Sequence, residues 1–201
     1  MRRPVAMTSA ALLWLFAAGG IAMAQAPAAS TAGKTAKPPA EVEKILRGRY
    51  LIETGACGDC HTPLKMGKNG LEPDLSRLLS GHPQGLAMPA APALPAGPWL
   101  VVSSATNTAW AGPWGVSFTA NLTPDGETGL GRWTSRQFVD TIRLGKHLGV
   151  GRAVLPPMPI PAYRNFNDAD LEAIFAYLQA IPAIRNRVPA PLPLVARTAK
   201  K

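Results

Sequence analysis

The chain's two cysteines fall in one short run, Cys57-Gly58-Asp59-Cys60-His61. A pair three positions apart with a histidine directly after it constrains what can be built around it more than any other stretch. What two thiols can do depends first on compartment. The amino terminus opens with Arg2 and Arg3, continues through an apolar run and ends in Ala22-Met23-Ala24, the layout of a secretory leader cut before Gln25. Residues 1–24 are therefore expected to be a signal peptide. A retained anchor is the competing reading, but the apolar core is short for a membrane span. No stable membrane insertion is expected after cleavage, and the mature chain is expected in an oxidising space such as a periplasm.

Four chemistries compete for the cysteine motif. A structural disulfide between residues three apart would close a very small loop and stabilise little. A thiol oxidoreductase would place C-x-x-C at a helix start inside a sheet-containing fold, and no alternating strand pattern precedes Cys57. A zinc site would need two more ligands, and His82 and His147 lie at no recognisable zinc spacing from the pair. Covalent attachment of a haem uses all three residues: both sulfurs form thioethers with the vinyl groups, and His61 ligates the iron. The motif favours this last reading, one haem c per chain, with Gly58 and Asp59 as spacers.

The remaining sequence supports one small domain. Residues 25–40 are small, proline-bearing and without large apolar side chains, and are expected to be a disordered linker. From Glu41, Val42, Ile45, Leu46 and Tyr50 recur at helical spacing, with Glu41 and Glu43 where the helix dipole favours anions. Residues 62–118 show little periodicity and many of the chain's 21 prolines, which break helices and central strands alike. A loop of that length is uncommon unless it serves a function. Its Trp99, Trp110 and Trp114 are expected to form a small packed cluster. Thr134 with Gln137 is a capping box for a helix carrying Phe138, Val139 and Ile142 and ending near Gly145. Asn167 is expected to cap a last helix in which Leu171, Ile174, Phe175 and Leu178 face inward and which Pro182 ends. Residues 189–201 are expected to be an extended basic tail.

The formal net charge is +9, and charged residues make up only 16%, against about a quarter in typical domains. No basic run is interleaved with aromatics, so nucleic acid is not an expected partner. There is no nicotinamide, flavin or phosphate-binding signature, so the chain is not expected to oxidise an organic substrate itself. Asn121 opens an Asn-Leu-Thr sequon, for which a loop-capping role is the expected use.

Taken together, "GRYLIETGACGDCH" resembles the first helix and haem-attachment motif of class I c-type cytochromes, and "LPPMPIPAYRNFNDADLEAIFAYLQAIP" resembles their methionine loop and terminal helix. "NLTPDGETGLGRWTSRQFVDTIRLG" resembles a segment in the cytochrome subunits of periplasmic quinoprotein and flavoprotein dehydrogenases. Those subunits commonly carry three haem motifs, and this chain has one. The resemblance implies an all-α, class I cytochrome c-like fold over residues 41–188 with a long proline-rich insertion. It implies Met158 as the second axial ligand, in a loop that Pro156, Pro157 and Pro159 would hold extended, with Met88, Met66, His82 and His147 as rivals. Gly48 would let the first helix approach the last beside Tyr177 and Phe175, and Trp133, Tyr163 and Arg152 would serve the pocket or a propionate. The implied function is single-electron transfer, not catalysis, alone or as a subunit of an oxidoreductase complex. The alternative is a haem enzyme or ligand sensor with an open distal site. Partners would be redox proteins with acidic docking faces, steered by Lys65, Lys68, Arg143 and Lys146.

Overall fold

The computed structural model describes residues 39–91 and 97–194. The expected signal peptide 1–24, most of the expected linker 25–40 and the last seven residues of the expected tail lie outside the described residues. Helix α1 spans Ala40–Thr54 and α2, Cys57–His61, follows it after a turn in which Ala56 takes a left-handed φ of 55°. After the 62–118 segment come α3 (Ser135–Leu144), the short α4 (Ile160–Tyr163) and α5 (Asp168–Ala180).

Local chemistry sets the ends of the later helices. The Thr134 hydroxyl accepts from the Gln137 amide and the Gln137 side chain accepts from the Thr134 amide, a complete capping box. Gly145 ends α3 at φ 63°, a conformation that costs residues with a Cβ. The Asn167 side chain accepts from the Asp170 amide at 2.7 Å, while Asp168 and Asp170 lie at the positive end of α5.

Helix α1 forms where its periodicity indicates, but its inward face differs from the expected one. Gly48, Leu51 and Ile52 are buried, whereas Val42, Leu46 and Tyr50 are exposed. The reason is the crossing with α5. A Cβ on Gly48 would overlap the Ala173 carbonyl and come within 2.9 Å of the Tyr177 Cβ, so the two backbones meet where only glycine fits. That crossing rotates the helix away from its Val42 and Leu46 stripe. Tyr177 stands at the contact as expected, while Phe175 turns to Phe138 of α3 with ring centroids 5.5 Å apart. Lys44–Glu172 and Arg47–Asp170 ion pairs, at 3.0 and 2.9 Å, bridge the same helices at the surface. Exposed pairs of this kind contribute at most about 1 kcal/mol each.

The all-α expectation is corrected in residues 62–118. Strands β1 (Leu64–Gly67) and β2 (Gly70–Pro73) form an antiparallel hairpin; β3 (Val102–Ser103), β4 (Ala109–Gly112) and β5 (Gly115–Phe118) form a three-stranded antiparallel sheet. These strands are two to four residues long, too short to show alternation, and they depend on partners distant in sequence. Leu64 donates its amide to Thr106, and Leu192 pairs with Val116 through two 2.9 Å bonds, which pins the start of the carboxyl-terminal stretch to β5. The three tryptophans do not form one cluster: Trp99 is 73% exposed, while Trp114 donates to Ser117 Oγ at 3.3 Å.

Asn186 joins the halves of the chain. It is fully buried, its oxygen accepts from Arg77 Nη2 and the Gln84 amide, and its nitrogen donates to the Ser80 and His82 carbonyls, all within 2.9 Å. Every hydrogen-bonding position of the side chain is used. Asn186→Ala is expected to lower stability by about 2–4 kcal/mol, because it strands buried backbone groups, and Gly48→Ala by about 2–4 kcal/mol through overlap at the helix crossing. Chemical denaturation checks both; a loss under about 0.5 kcal/mol in either variant would contradict the role given to that residue.

Candidate functional site

The buried side chains Leu130, Phe138, Ile142, Leu171, Ile174 and Leu178 line a cavity of about 690 Å³ rather than closing fully on one another. Its size falls within the roughly 300–1,000 Å³ of sites that enclose organic ligands. Cys57, Cys60, His61 and Met158 all line this cavity, although Met158 lies about a hundred positions further along the chain. A second cleft of about 440 Å³, bordered by Arg49, Tyr177 and Leu78, contains none of the four.

His61 is held by a specific bond. It sits at the end of α2, 8% exposed, and its Nδ1 lies 2.8 Å from the Ala120 carbonyl oxygen. A carbonyl only accepts, so Nδ1 carries the proton and Nε2 keeps its lone pair. Burial lowers the imidazole pKa from its ordinary value, which keeps the ring neutral near pH 7. A neutral ring oriented through one nitrogen, with the other free to ligate, is the arrangement found behind metal-binding histidines.

The cysteines are free thiols, Cys57 partly packed into the core. Burial pushes the Cys57 thiol up to about 11, and burial followed by the Asp59 charge raises Cys60. Thiol–disulfide exchange at C-x-x-C uses a depressed thiol pKa, so neither sulfur has the environment of a redox-active nucleophile. Among the described residues no three His, Cys, Asp or Glu side chains gather as a metal ion's ligand set, which does not favour zinc. Tyr163, also on the cavity wall, donates its hydroxyl to the Gly55 carbonyl and thereby ties α4 to the α1–α2 turn.

The methionine loop differs from the extended segment its prolines suggest. It turns at Pro156–Pro157, whose peptide bond is cis, and runs directly into α4, which tolerates Pro161 in its first turn. Ser117 Oγ at the end of the three-stranded sheet donates to the Pro156 carbonyl at 2.6 Å. The sheet therefore braces the loop that carries Met158.

Three of the four rival ligands lie off the cavity wall. Met66 is 76% exposed on the β1–β2 hairpin, and Met88 is absent from the cavity wall. His82 is fully buried, not an exposed loop residue; its Nδ1 meets Thr108 Oγ1 at 2.9 Å and its Nε2 the Leu86 carbonyl at 3.1 Å, so neither nitrogen is free. His147 is exposed, stands edge-on to Trp133 at 5.1 Å and borders the cavity together with Arg152. Asn121 does cap its loop: its oxygen accepts from the Thr123 amide and hydroxyl, and its nitrogen donates to the Ile184 carbonyl at 2.8 Å. It is 3% exposed and fixes the backbone next to Ala120. Of the basic side chains expected to steer partners, Lys65 is paired with Asp74 and Arg143 with Asp168. Sequence reasoning did not find the Ala120 carbonyl, since a backbone acceptor leaves no trace in residue identity.

No family model matches the chain. It is 32% identical over 144 residues to a nicotinate dehydrogenase subunit of Pseudomonas putida, covering 72% of this chain and 9% of that protein. It is 27% identical over 140 residues to the cytochrome c subunit of the quinone alcohol dehydrogenase of Gluconacetobacter polyoxogenes, covering 70% of this chain and 22% of the relative. It is 25% identical over 195 residues to the fructose dehydrogenase cytochrome subunit of Gluconobacter japonicus, covering 94% of this chain and 32% of the relative. The chain thus spans between about a tenth and a third of the length of these relatives, and over most of its own length it is similar to cytochrome subunits of dehydrogenases.

Proposed function

We propose that the chain is a periplasmic mono-haem c-type cytochrome that carries single electrons between a dehydrogenase or respiratory complex and a downstream acceptor. The observation that carries this reading is the convergence of Cys57, Cys60, His61 and Met158 on one largely apolar cavity, with His61 presenting an unprotonated Nε2. The residues fit the group. Two thiols and an imidazole lie on one five-residue helix at the attachment spacing, and a thioether comes from a separate, braced loop. A haem held by both His61 and Met158 would supply reversible one-electron chemistry and leave no position for a substrate.

On this reading each residue has a defined task. Cys57 and Cys60 would anchor the group covalently. His61 would ligate through Nε2 while Ala120 fixes its ring. Met158 would give a weak, soft ligand that favours the reduced state and raises the potential relative to a second histidine. The apolar wall of Ile142, Leu171 and Leu178 would keep water away and act in the same direction. The cytochrome c-like fold rests on α1, α3 and α5 around this cavity. The relatives named as cytochrome subunits support an electron-transfer role rather than a catalytic one. A chain with one attachment motif that spans about a third or less of those relatives fits a single haem unit of such an assembly. Its partners would then be redox proteins, with Lys68 and Lys146 as contributors to docking.

Met158→Ala tests the reading. The variant is expected to keep covalent haem, lose the weak sulfur-to-iron band of the oxidised form and bind carbon monoxide when reduced, which the unsubstituted protein resists. Its midpoint potential is expected to fall by on the order of 100 mV, within the roughly 0.8 V range that axial ligation spans. Ready carbon monoxide binding by the unsubstituted protein would instead indicate an open distal site, as in a haem enzyme or sensor.

A further inference from the structure

The fold uses only part of the apolar periodicity of its first helix. Gly48, Leu51 and Ile52 turn inward, whereas Val42, Leu46 and Tyr50 face away from α5 at 42%, 53% and 56% exposure. Residues at i, i+4 and i+8 share one face of a helix, so the three form an apolar stripe about 12 Å long. Among the described residues α1 packs on α5 and α2, and neither covers this stripe. The Arg47 guanidinium lies over the Tyr50 ring, 5.5 Å from its centroid. A tyrosine with an arginine, set beside exposed Leu and Val, has the composition of an interface core rather than of a solvated helix face.

The order of charges along α1 indicates what fits the stripe. Glu41 and Glu43 lie in the first turn, and Arg47 and Arg49 follow Leu46. Counted from Leu46, Val42 and Tyr50 are each four positions away, and Glu43 and Arg49 are each three. A second α1 laid antiparallel, with Leu46 level with Leu46, therefore brings Val42 level with the second copy's Tyr50 and Glu43 level with its Arg49. The other charged side chains of the helix meet no like charge in this register: Lys44 is level with Gly48, Arg47 with Ile45, Glu41 with Leu51 and Glu53 with Pro39. Lys44, Arg47 and Arg49 keep their pairs within the chain, with Glu172, Asp170 and Glu53.

We propose that the outward face of α1 is a self-complementary docking surface for a second copy of this chain, the two helices pairing antiparallel about Leu46. A twofold contact requires one patch that matches its own reversed copy, and this charge order supplies it. A uniformly acidic or uniformly basic partner would suit only one half of the helix. Stable interfaces cover about 800 Å² per partner, more than one helix face provides. The cleft of about 440 Å³ bordered by Arg49, Glu53 and Leu75, the last 72% exposed, continues the apolar surface beyond the stripe. Association is accordingly expected to depend on concentration. None of Val42, Glu43, Leu46, Arg49 and Tyr50 lines the cavity that holds His61, so the contact is independent of what that cavity binds.

Sedimentation equilibrium of the full chain purified from a periplasm, over a range of concentrations, tests the pairing. The unsubstituted protein is expected to show a monomer–dimer equilibrium. Leu46→Asp is expected to raise the dissociation constant at least about tenfold, while Leu144→Asp, at an exposed apolar side chain of α3, leaves it unchanged. Glu43→Lys and Arg49→Glu are each expected to weaken self-association, because like charges then face each other. An equimolar mixture of these two variants, in which opposite charges meet again, is expected to recover the dimer. Unchanged circular dichroism checks that the variants fold. A monomer at every concentration would overturn the proposal and leave the stripe to a different protein. A dimer that survives Leu46→Asp would place the contact elsewhere, and a mixture that recovers nothing would overturn the antiparallel order.

Discussion

One hydrogen bond joins the two parts of the chain that must meet for the site to exist. His61 Nδ1 reaches the Ala120 carbonyl at 2.8 Å, linking the end of the cysteine helix to the first residues after β5. It sets the ring plane, the tautomer and the nitrogen left for ligation. Much of the surrounding structure holds its acceptor still. Asn121, next in sequence, binds the Thr123 backbone and the Ile184 carbonyl, and Thr119, just before, receives the His82 amide. Asn186 then fixes His82 and Ser80 from the carboxyl-terminal side. A buried imidazole held this way loses little further freedom on binding a metal, which favours tight ligation.

The same elements explain why the 62–118 segment is compatible with a small helical core. The three-stranded sheet within the 62–118 segment braces the methionine loop through Ser117 and supplies Trp110 and Phe118 to the cavity wall. Helices α1, α3 and α5 contribute Ile52, Phe138, Ile142, Leu171, Ile174 and Leu178 to the apolar wall, and the Gly48 crossing brings α1 and α5 together beside it. In such surroundings a charged or unpaired group is costly, so each polar side chain at the cavity needs a defined partner.

What was legible in the residues divides by range. Helix ends written in local chemistry, the Thr134–Gln137 box and the Asn167 cap, could be read directly, as could the inward stripe of α5. The close approach at Gly48 was legible only through the resemblance to class I c-type cytochromes. The stripe of α1 misled because the crossing with α5, rather than hydrophobic periodicity, decides its rotation. The short strands were not legible, since their existence depends on pairings such as Leu64 with Thr106 and Val116 with Leu192. His82 looked like a loop residue among Gly and Pro, and only its tertiary bonds to Thr108 and Leu86 show it as buried structure. The motif and the resemblance together named four residues that the fold brings to one cavity; the Ala120 acceptor left no trace in residue identity.

The decisive measurement is the optical spectrum, oxidised and then reduced, of the full chain produced in a periplasm together with haem-attachment machinery, before and after denaturing extraction. Sharp low-spin bands in the reduced protein, a weak sulfur-to-iron band in the oxidised form, and haem that stays with the polypeptide on extraction are the expected result. Haem that extracts freely, or a chain that acquires none, would contradict attachment at Cys57 and Cys60. A high-spin spectrum with retained haem would contradict ligation by Met158 and with it the electron-transfer reading.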